Sequence, residues 1–163
     1  MDVTTMPSTH LAQLLPKLIA DYPAFTFTPG DRFAWSPDAD TVYYDESDDT
    51  PQLLLHELAH GILEHHDYSK DIELVAMETA AWDKALAIAP TYSIKISDKT
   101  VQDNLDTYRD WLHARSTCPN CDATGYQTGK QLYSCVACAH TWRVNEARIC
   151  ALRRYKNDAP TLI

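Results

Sequence analysis

The sequence predicts an α+β fold in two parts: a short antiparallel sheet packed on helices over residues 1–115, and a small cysteine-clamped module with a C-terminal tail over residues 116–163. Three observations carry this. Strand-like alternation punctuated by turn residues runs from Phe25 to Tyr44, apolar residues recur at helical spacing between Pro51 and Leu112, and at Ser116-Thr117 the composition changes abruptly to Cys, Gly and aromatics. The 163 residues, 45% of them hydrophobic, suit one compact domain with an appendage. A chain of that length buries roughly 68–70% of its unfolded surface, which excludes wholesale disorder.

The elements follow in order. Ser8 can cap a short helix through Leu11, Leu14, Leu15, Leu18 and Ile19, with Pro16 delaying or kinking it. Phe25–Thr28, Arg32–Trp35 and Thr41–Tyr44 read as three short antiparallel strands, separated by Pro29-Gly30-Asp31 and Ser36-Pro37-Asp38 turns. Thr50 with Pro51 at the first helical position starts a helix whose stripe of Leu54, Leu55, Leu58, Ala59 and Ile62 runs to about His65. A second helix spans about Lys70 to Ile88, with Leu74, Val75, Glu78, Ala81, Trp82, Ala85 and Ile88 on one face. After Pro90 comes an extended piece around Ile94 and Ile96. Ser97 then caps a helix carrying Val101, Leu105, Tyr108 and Leu112 on one side.

The net charge of −9 argues against sequence-independent binding to nucleic-acid phosphates by the whole chain. It is unevenly spread: residues 1–112 hold 20 acids and 7 bases (−13), residues 113–163 hold 3 acids and 7 bases (+4). The basic C-terminal module is therefore expected to meet a different partner, nucleic acid or protein, from the one the acidic domain meets. No apolar run reaches the roughly 20 residues of a membrane span, and the segment from Met1 to His10 lacks the features of a secretion signal. The expectation is a cytoplasmic protein with no membrane partner.

His56-Glu57-Leu58-Ala59-His60 is an H-E-x-x-H sequence inside the first strongly helical stretch. Four residues on a helix return to nearly the same face, about 40° apart, so both imidazoles can reach one zinc ion with Glu57 beside the open coordination position as general base. A catalytic zinc needs a third protein ligand. His66, six residues past His60, has the metzincin spacing, but Leu63 stands where the glycine of that pattern turns the chain back. Glu78 is the stronger candidate: it interrupts an apolar stripe, and a buried carboxylate needs a counter-charge. Glu73 lies on the more solvated flank of the same helix.

The run His56-Glu57-Leu58-Ala59-His60-Gly61-Ile62-Leu63-Glu64-His65, followed by Glu78-Thr79-Ala80-Ala81-Trp82-Asp83 and closed by Pro90, resembles the ImmA/IrrE-type metallopeptidases. In that family a glutamate on the helix after H-E-x-x-H, four residues before an aromatic, completes the zinc site, and here that spacing is Glu78 to Trp82. The resemblance implies a zincin-like domain and a cytosolic zinc peptidase, often encoded by mobile elements, that cleaves a regulatory protein such as a repressor. Tyr43, Tyr44, His65 and Tyr68 are the candidates for stabilising the oxyanion. The strand Thr41–Tyr44 is the candidate for holding an extended peptide.

Cys118-Pro119-Asn120-Cys121 and Cys135-Val136-Ala137-Cys138, 13 residues apart, have the spacing of a zinc ribbon, in which four thiolates close the coordination shell. Such a zinc is structural and replaces the core that so short a module lacks. Strands are expected within Tyr126–Tyr133 and over Thr141–Val144. Cys150, beside Ile149 and Leu152, reads as a buried small residue rather than a ligand. Two zinc ions per chain are thus expected, one catalytic and one structural. Two further readings stand beside the peptidase: a DNA-associated protease resembling the SprT family, which joins H-E-x-x-H to a zinc ribbon, and a non-enzymatic zinc-ribbon adaptor.

Overall fold

The computed structural model describes residues 9–145 and, for 154–156, the backbone. The chain is α+β and divides into two compact units, one comprising the described residues up to 66 together with 77–97, the other 67–76 together with the described residues from 98 onward. The expected break lay between 115 and 116; in this division the helix over 98–116 groups with the cysteine module. Cys150 lies outside the described residues. Among the described residues no helix is long and apolar enough to cross a membrane.

In the first unit, α1 (His10–Asp21) is capped by Thr9, not Ser8: the Thr9 Oγ1 accepts the N–H of Ala12 at 3.1 Å. The Asp49 carboxylate takes the N–H groups of His10 and Leu11 as well, at 3.1 and 2.8 Å. These three donors belong to the first turn, which has no intrahelical acceptor for them. Pro16 sits inside α1 and forgoes one helical hydrogen bond, while Leu11, Leu14 and Leu18 on the inner face stay buried.

The sheet corrects the sequence reading. Strands β1 (Thr26–Gly30), β2 (Ala34–Ser36) and β3 (Thr41–Asp45) are ordered β1-β3-β2, so β1 pairs with β3 in parallel and only β2 pairs with β3 antiparallel. The two turns do reverse the chain twice. What they do not decide is which strand takes the centre, and the most buried one, β3, with Val42 at 0% exposure, takes it. Pro29, which cannot donate a ladder hydrogen bond, is left on the edge strand β1.

Helix α2 (Pro51–Ile62) packs across β2, β3 and α1, with Leu54, Leu55, Leu58 and Ala59 fully buried. Burial of each such leucine is worth about 1.5–3 kcal/mol. It ends at Ile62, three residues short of expectation. Helix α3 (Asp71–Ile88) runs on into a 3-10 turn over Ala89–Tyr92, and no strand forms around Ile94 and Ile96. Of the α3 stripe, Leu74, Glu78, Ala81, Trp82 and Ala85 are buried, and Val75 and Ile88 are half-buried.

In the second unit, α4 (Asp98–Ser116) buries Val101, Leu105, Trp111 and Arg115. The last two were not on the expected face. Arg115 binds the Asp71 carboxylate through Nε at 2.6 Å and Nη2 at 3.3 Å, and its guanidinium lies 4.6 Å from the Trp111 ring centre. Asp71 also accepts the Tyr133 hydroxyl at 2.7 Å, and burial, followed by that contact, pushes the Tyr133 pKa up. A buried charge pair so completed by hydrogen bonds avoids the cost of an unsatisfied ion.

Strands β4 (Gly125–Gly129), β5 (Leu132–Cys135), β6 (Thr141–Val144) and β7 (Arg154–Lys156) form an antiparallel sheet in chain order. Its core is Cys118, Tyr133, Cys135, Trp142 and Val144. Gly125 is required there, because a Cβ would lie 2.3 Å from the Trp142 ring and 2.7 Å from the Ser134 carbonyl.

Candidate metal centres

Among the described residues, two groups of side chains gather in a way that could hold a metal ion: His56, His60 and Glu78 in the first unit, and Cys118, Cys121, Cys135 and Cys138 in the second. In the first, α2 supplies both histidines from adjacent turns and α3 supplies the acid. All three are buried, at 5%, 7% and 5% exposure. His56 Nε2 lies 3.0 Å from Glu78 Oε2 and 3.2 Å from His60 Nε2, and His60 Nε2 lies 3.5 Å from Glu78 Oε2.

A tetrahedral zinc with Zn–N and Zn–O bonds near 2.0–2.2 Å requires donors about 3.3–3.5 Å apart. One observed separation, 3.5 Å, matches that value and the other two, 3.0 and 3.2 Å, are slightly shorter, so the donor set fits one ion after small shifts and leaves one vertex for a non-protein ligand. Burial alone would push the Glu78 carboxyl up, but the hydrogen bonds and charges of His56 and His60 outweigh it and hold its pKa at about 2. The Glu78 carboxyl is therefore ionised and can bind a cation. His56 stacks on Trp82, with ring centres 4.3 Å apart, which sets its plane from the apolar side.

Glu57 follows His56 on α2 and is turned about 100° from it. It takes a hydrogen bond from the Trp35 main-chain N–H; burial raises its pKa, against a smaller downward pull from His56 and His60. A carboxyl moved toward neutral pH suits a general base. The Trp35 contact also places the outer edge of β2 beside Glu57. The strand expected to hold a peptide, Thr41–Tyr44, is instead the central strand, paired on both sides over Thr41–Tyr43, and has no open edge there. In this sheet β1 and β2 are the edges.

The sequence pattern marks Trp35 only as a strand residue and gives Gly61 no role of its own. A Cβ on Gly61 would come within 3.0–3.2 Å of the Trp35 ring, the ring stands edge-on to Phe25, and its Nε1 donates to the His65 carbonyl at 3.0 Å. The available signal was a glycine inside a strongly helical run, which marks close packing.

The end of α2 departs from expectation. The sequence runs the helix to about His65, with Leu63 where the metzincin glycine would turn the chain, yet the chain turns earlier, with Glu64 left-handed at φ 55°. It brings His65 to the site: His65 Nδ1 is 2.8 Å from His60 Nδ1, and burial, then His60, lowers the His65 pKa. His66 is exposed. Of the other oxyanion candidates, Tyr44 is buried with its pKa raised by burial and by Glu46, Tyr43 packs beside Gly30, and Tyr68 lines a cleft with Asp67, Ser69, Lys70 and Lys130.

The cysteine group is built from two matching turns. In the first, Cys118 N–H binds the Ala123 carbonyl at 2.8 Å, Asp122 N–H binds the Cys118 carbonyl at 3.0 Å, and Asn120 N–H points at Cys118 Sγ at 3.4 Å. In the second, Cys135 binds His140 at 2.8 Å, Ala139 binds Cys135 at 3.0 Å, and Ala137 points at Cys135 Sγ at 3.3 Å. The fifth residue of each turn, Asp122 or Ala139, is left-handed, with φ 61° in both. Across the turns Cys118 Sγ lies 3.7 Å from Cys138 Sγ, and Cys121 Sγ 3.6 Å from Cys135 Sγ. Four thiolates about 2.3 Å from one zinc stand about 3.8 Å apart, so this set fits a closed shell. The His140 N–H and the Asn120 carboxamide pull the Cys138 pKa down while the neighbouring thiols push that of Cys121 up, so Cys138 is the first of the two to become the thiolate a metal needs.

No protein-family model matches the chain, and neither a curated protein nor a solved structure matches it.

Proposed function

We propose that this protein is a zinc-dependent peptidase whose site is His56, His60, Glu78 and Glu57, and whose four-cysteine group holds a second, structural zinc. The observation that carries the reading is the near-equilateral triangle of donors, 3.0–3.5 Å on a side, with a carboxyl of raised pKa next to it on the same helix. A purely structural site has no use for Glu57. Glu78 at the third position also favours the ImmA/IrrE-type resemblance over the SprT-like one, which takes a third histidine.

Zinc held by these residues supplies Lewis-acid activation of water and of the scissile carbonyl. Glu57 accepts the proton of the attacking water and delivers it to the departing amine, so that water is added across the C–N bond. The Trp35 N–H steadies Glu57 between these roles. The open edge of β2 offers an extended peptide a strand to pair with, beside Glu57. The substrate class, a cytosolic regulatory protein, follows from the family resemblance, and the basic C-terminal module is the proposed docking element for a protein or nucleic-acid partner.

The test is Glu57→Gln in the zinc-loaded full chain, read by mass spectrometry of fragments from a mixed peptide library. The amide keeps the hydrogen-bonding shape but cannot take a proton, so the expected outcome is retained zinc with cleavage reduced by roughly 10²–10⁴-fold. Undiminished cleavage by the variant, or no cleavage by a wild type carrying both zincs, contradicts the reading.

A further inference from the structure

The first cluster touches a histidine outside it. In the metal-site reading His56 Nε2 and His60 Nε2 each turn a lone pair toward the ion, 3.2 Å from each other. The one proton of a neutral His60 ring is then on Nδ1, which lies 2.8 Å from His65 Nδ1.

The local backbone explains why His65 is there. Glu64 N–H binds the Gly61 carbonyl and His65 N–H binds the His60 carbonyl, both at 3.0 Å, around the left-handed Glu64. This is a Schellman turn, in which the second residue past the helix packs on the residue three back from its end. That pair is usually apolar; here it is His65 on His60, with ring centres 5.0 Å apart. Trp35 holds the His65 carbonyl from the other side. The backbone N–H, the carbonyl and the ring of His65 are thus all engaged, whereas the buried Nδ1 of His56 has no partner.

Resting on the metal-site reading above, we propose that His65 is a positioning residue: its Nδ1 accepts the Nδ1–H of His60 and holds His60 in the tautomer whose Nε2 lone pair faces the metal. Partners of this kind tune a ligating histidine in orientation and basicity. The turn at Glu64 delivers that partner from the same helix end.

The test uses the full chain with both metal groups intact. In the metal-free wild type, nitrogen-15 resonances of the histidine rings at about pH 8, above the usual imidazole range, should show His60 protonated on Nδ1 and bare on Nε2. Zinc affinity of the first site, measured by chelator competition, should fall 10–100-fold in His65→Ala and His65→Leu. It should recover in His65→Asn, whose carboxamide oxygen can stand in for Nδ1, while zinc in the cysteine group is unchanged. A merely structural role would not distinguish Asn from Leu in this way. The proposal is overturned by a proton on His60 Nε2, by unchanged affinity in His65→Ala, or by Asn failing as Leu does. If the alanine variant does not fold, the wild-type tautomer decides. Failure of the wild type to bind zinc at this site would instead remove the metal-site reading, and the proposal with it.

Discussion

The histidine–glutamate group offers three donors and the cysteine group four, and the fourth vertex is the chemical difference between them. Four thiolates close a tetrahedron around an ion and leave water no place on it. Three donors leave a vertex, and in the proposed function the residue that serves it is Glu57, a carboxyl whose pKa burial raises. The surroundings differ in the same sense. His56, His60 and Glu78 are buried to a man, whereas Cys121 and Cys138 stand at the surface on their turns. On the proposed function, donor number and neighbourhood together, rather than the presence of metal-binding residues, separate the site for chemistry from the site for holding a fold.

The comparison is broken most sharply at the closed site. Cys135→Ser should drop the zinc content from two equivalents to one and expose Trp142, now at 0% exposure, to solvent, because so small a sheet is held by its metal. Metal analysis and tryptophan fluorescence read both effects. Unchanged zinc content would show that the four thiols are not a metal site.

At the open site Glu78→Ala should weaken zinc by well over 100-fold, beyond the 10–100-fold of a neighbouring residue. His66→Ala, on an exposed side chain, should leave affinity within a few fold. The reverse order would make His66 the third ligand and undo the triangle.

The smallest effects concern two of the left-handed residues, one in the turn beside each group. Non-glycine residues pay about 1–2 kcal/mol in that conformation, part of which glycine returns as a looser unfolded chain. Glu64→Gly and Ala139→Gly should therefore each raise stability to denaturant by less than about 1 kcal/mol, with metal affinities unchanged. Destabilisation by either would mean that its side chain makes a contact that outweighs the backbone strain.

These cases also show what was legible in the sequence. The H-E-x-x-H helix, the buried acid on the next helix and the paired Cys-x-x-Cys turns are local patterns: spacing along one element places their side chains. What escaped depends on contacts between elements. Turn residues give the reversals of β1, β2 and β3 but not the choice of β3 as centre, which is made by burial of Val42. Trp35 reads as an ordinary strand aromatic until Gly61 lets it lie against α2. Arg115 looks like one more surface base of a polar helix, and its partner Asp71 stands 44 residues away. The turn at Glu64 is silent in the sequence because a Schellman turn usually signals itself by glycine at its left-handed residue, and here three main-chain hydrogen bonds hold it with Glu64 in that place.

The most direct test of the difference between the two groups is zinc-edge anomalous diffraction from crystals of the zinc-loaded full chain. The account predicts two peaks. One is bonded to His56 Nε2, His60 Nε2 and a Glu78 oxygen, with a single solvent oxygen as fourth ligand on the side of Glu57; the other is bonded to four cysteine sulfurs and nothing else. A fourth protein ligand closing the first site, whether from Glu57, His65 or His66, or a solvent ligand on the second, would contradict it.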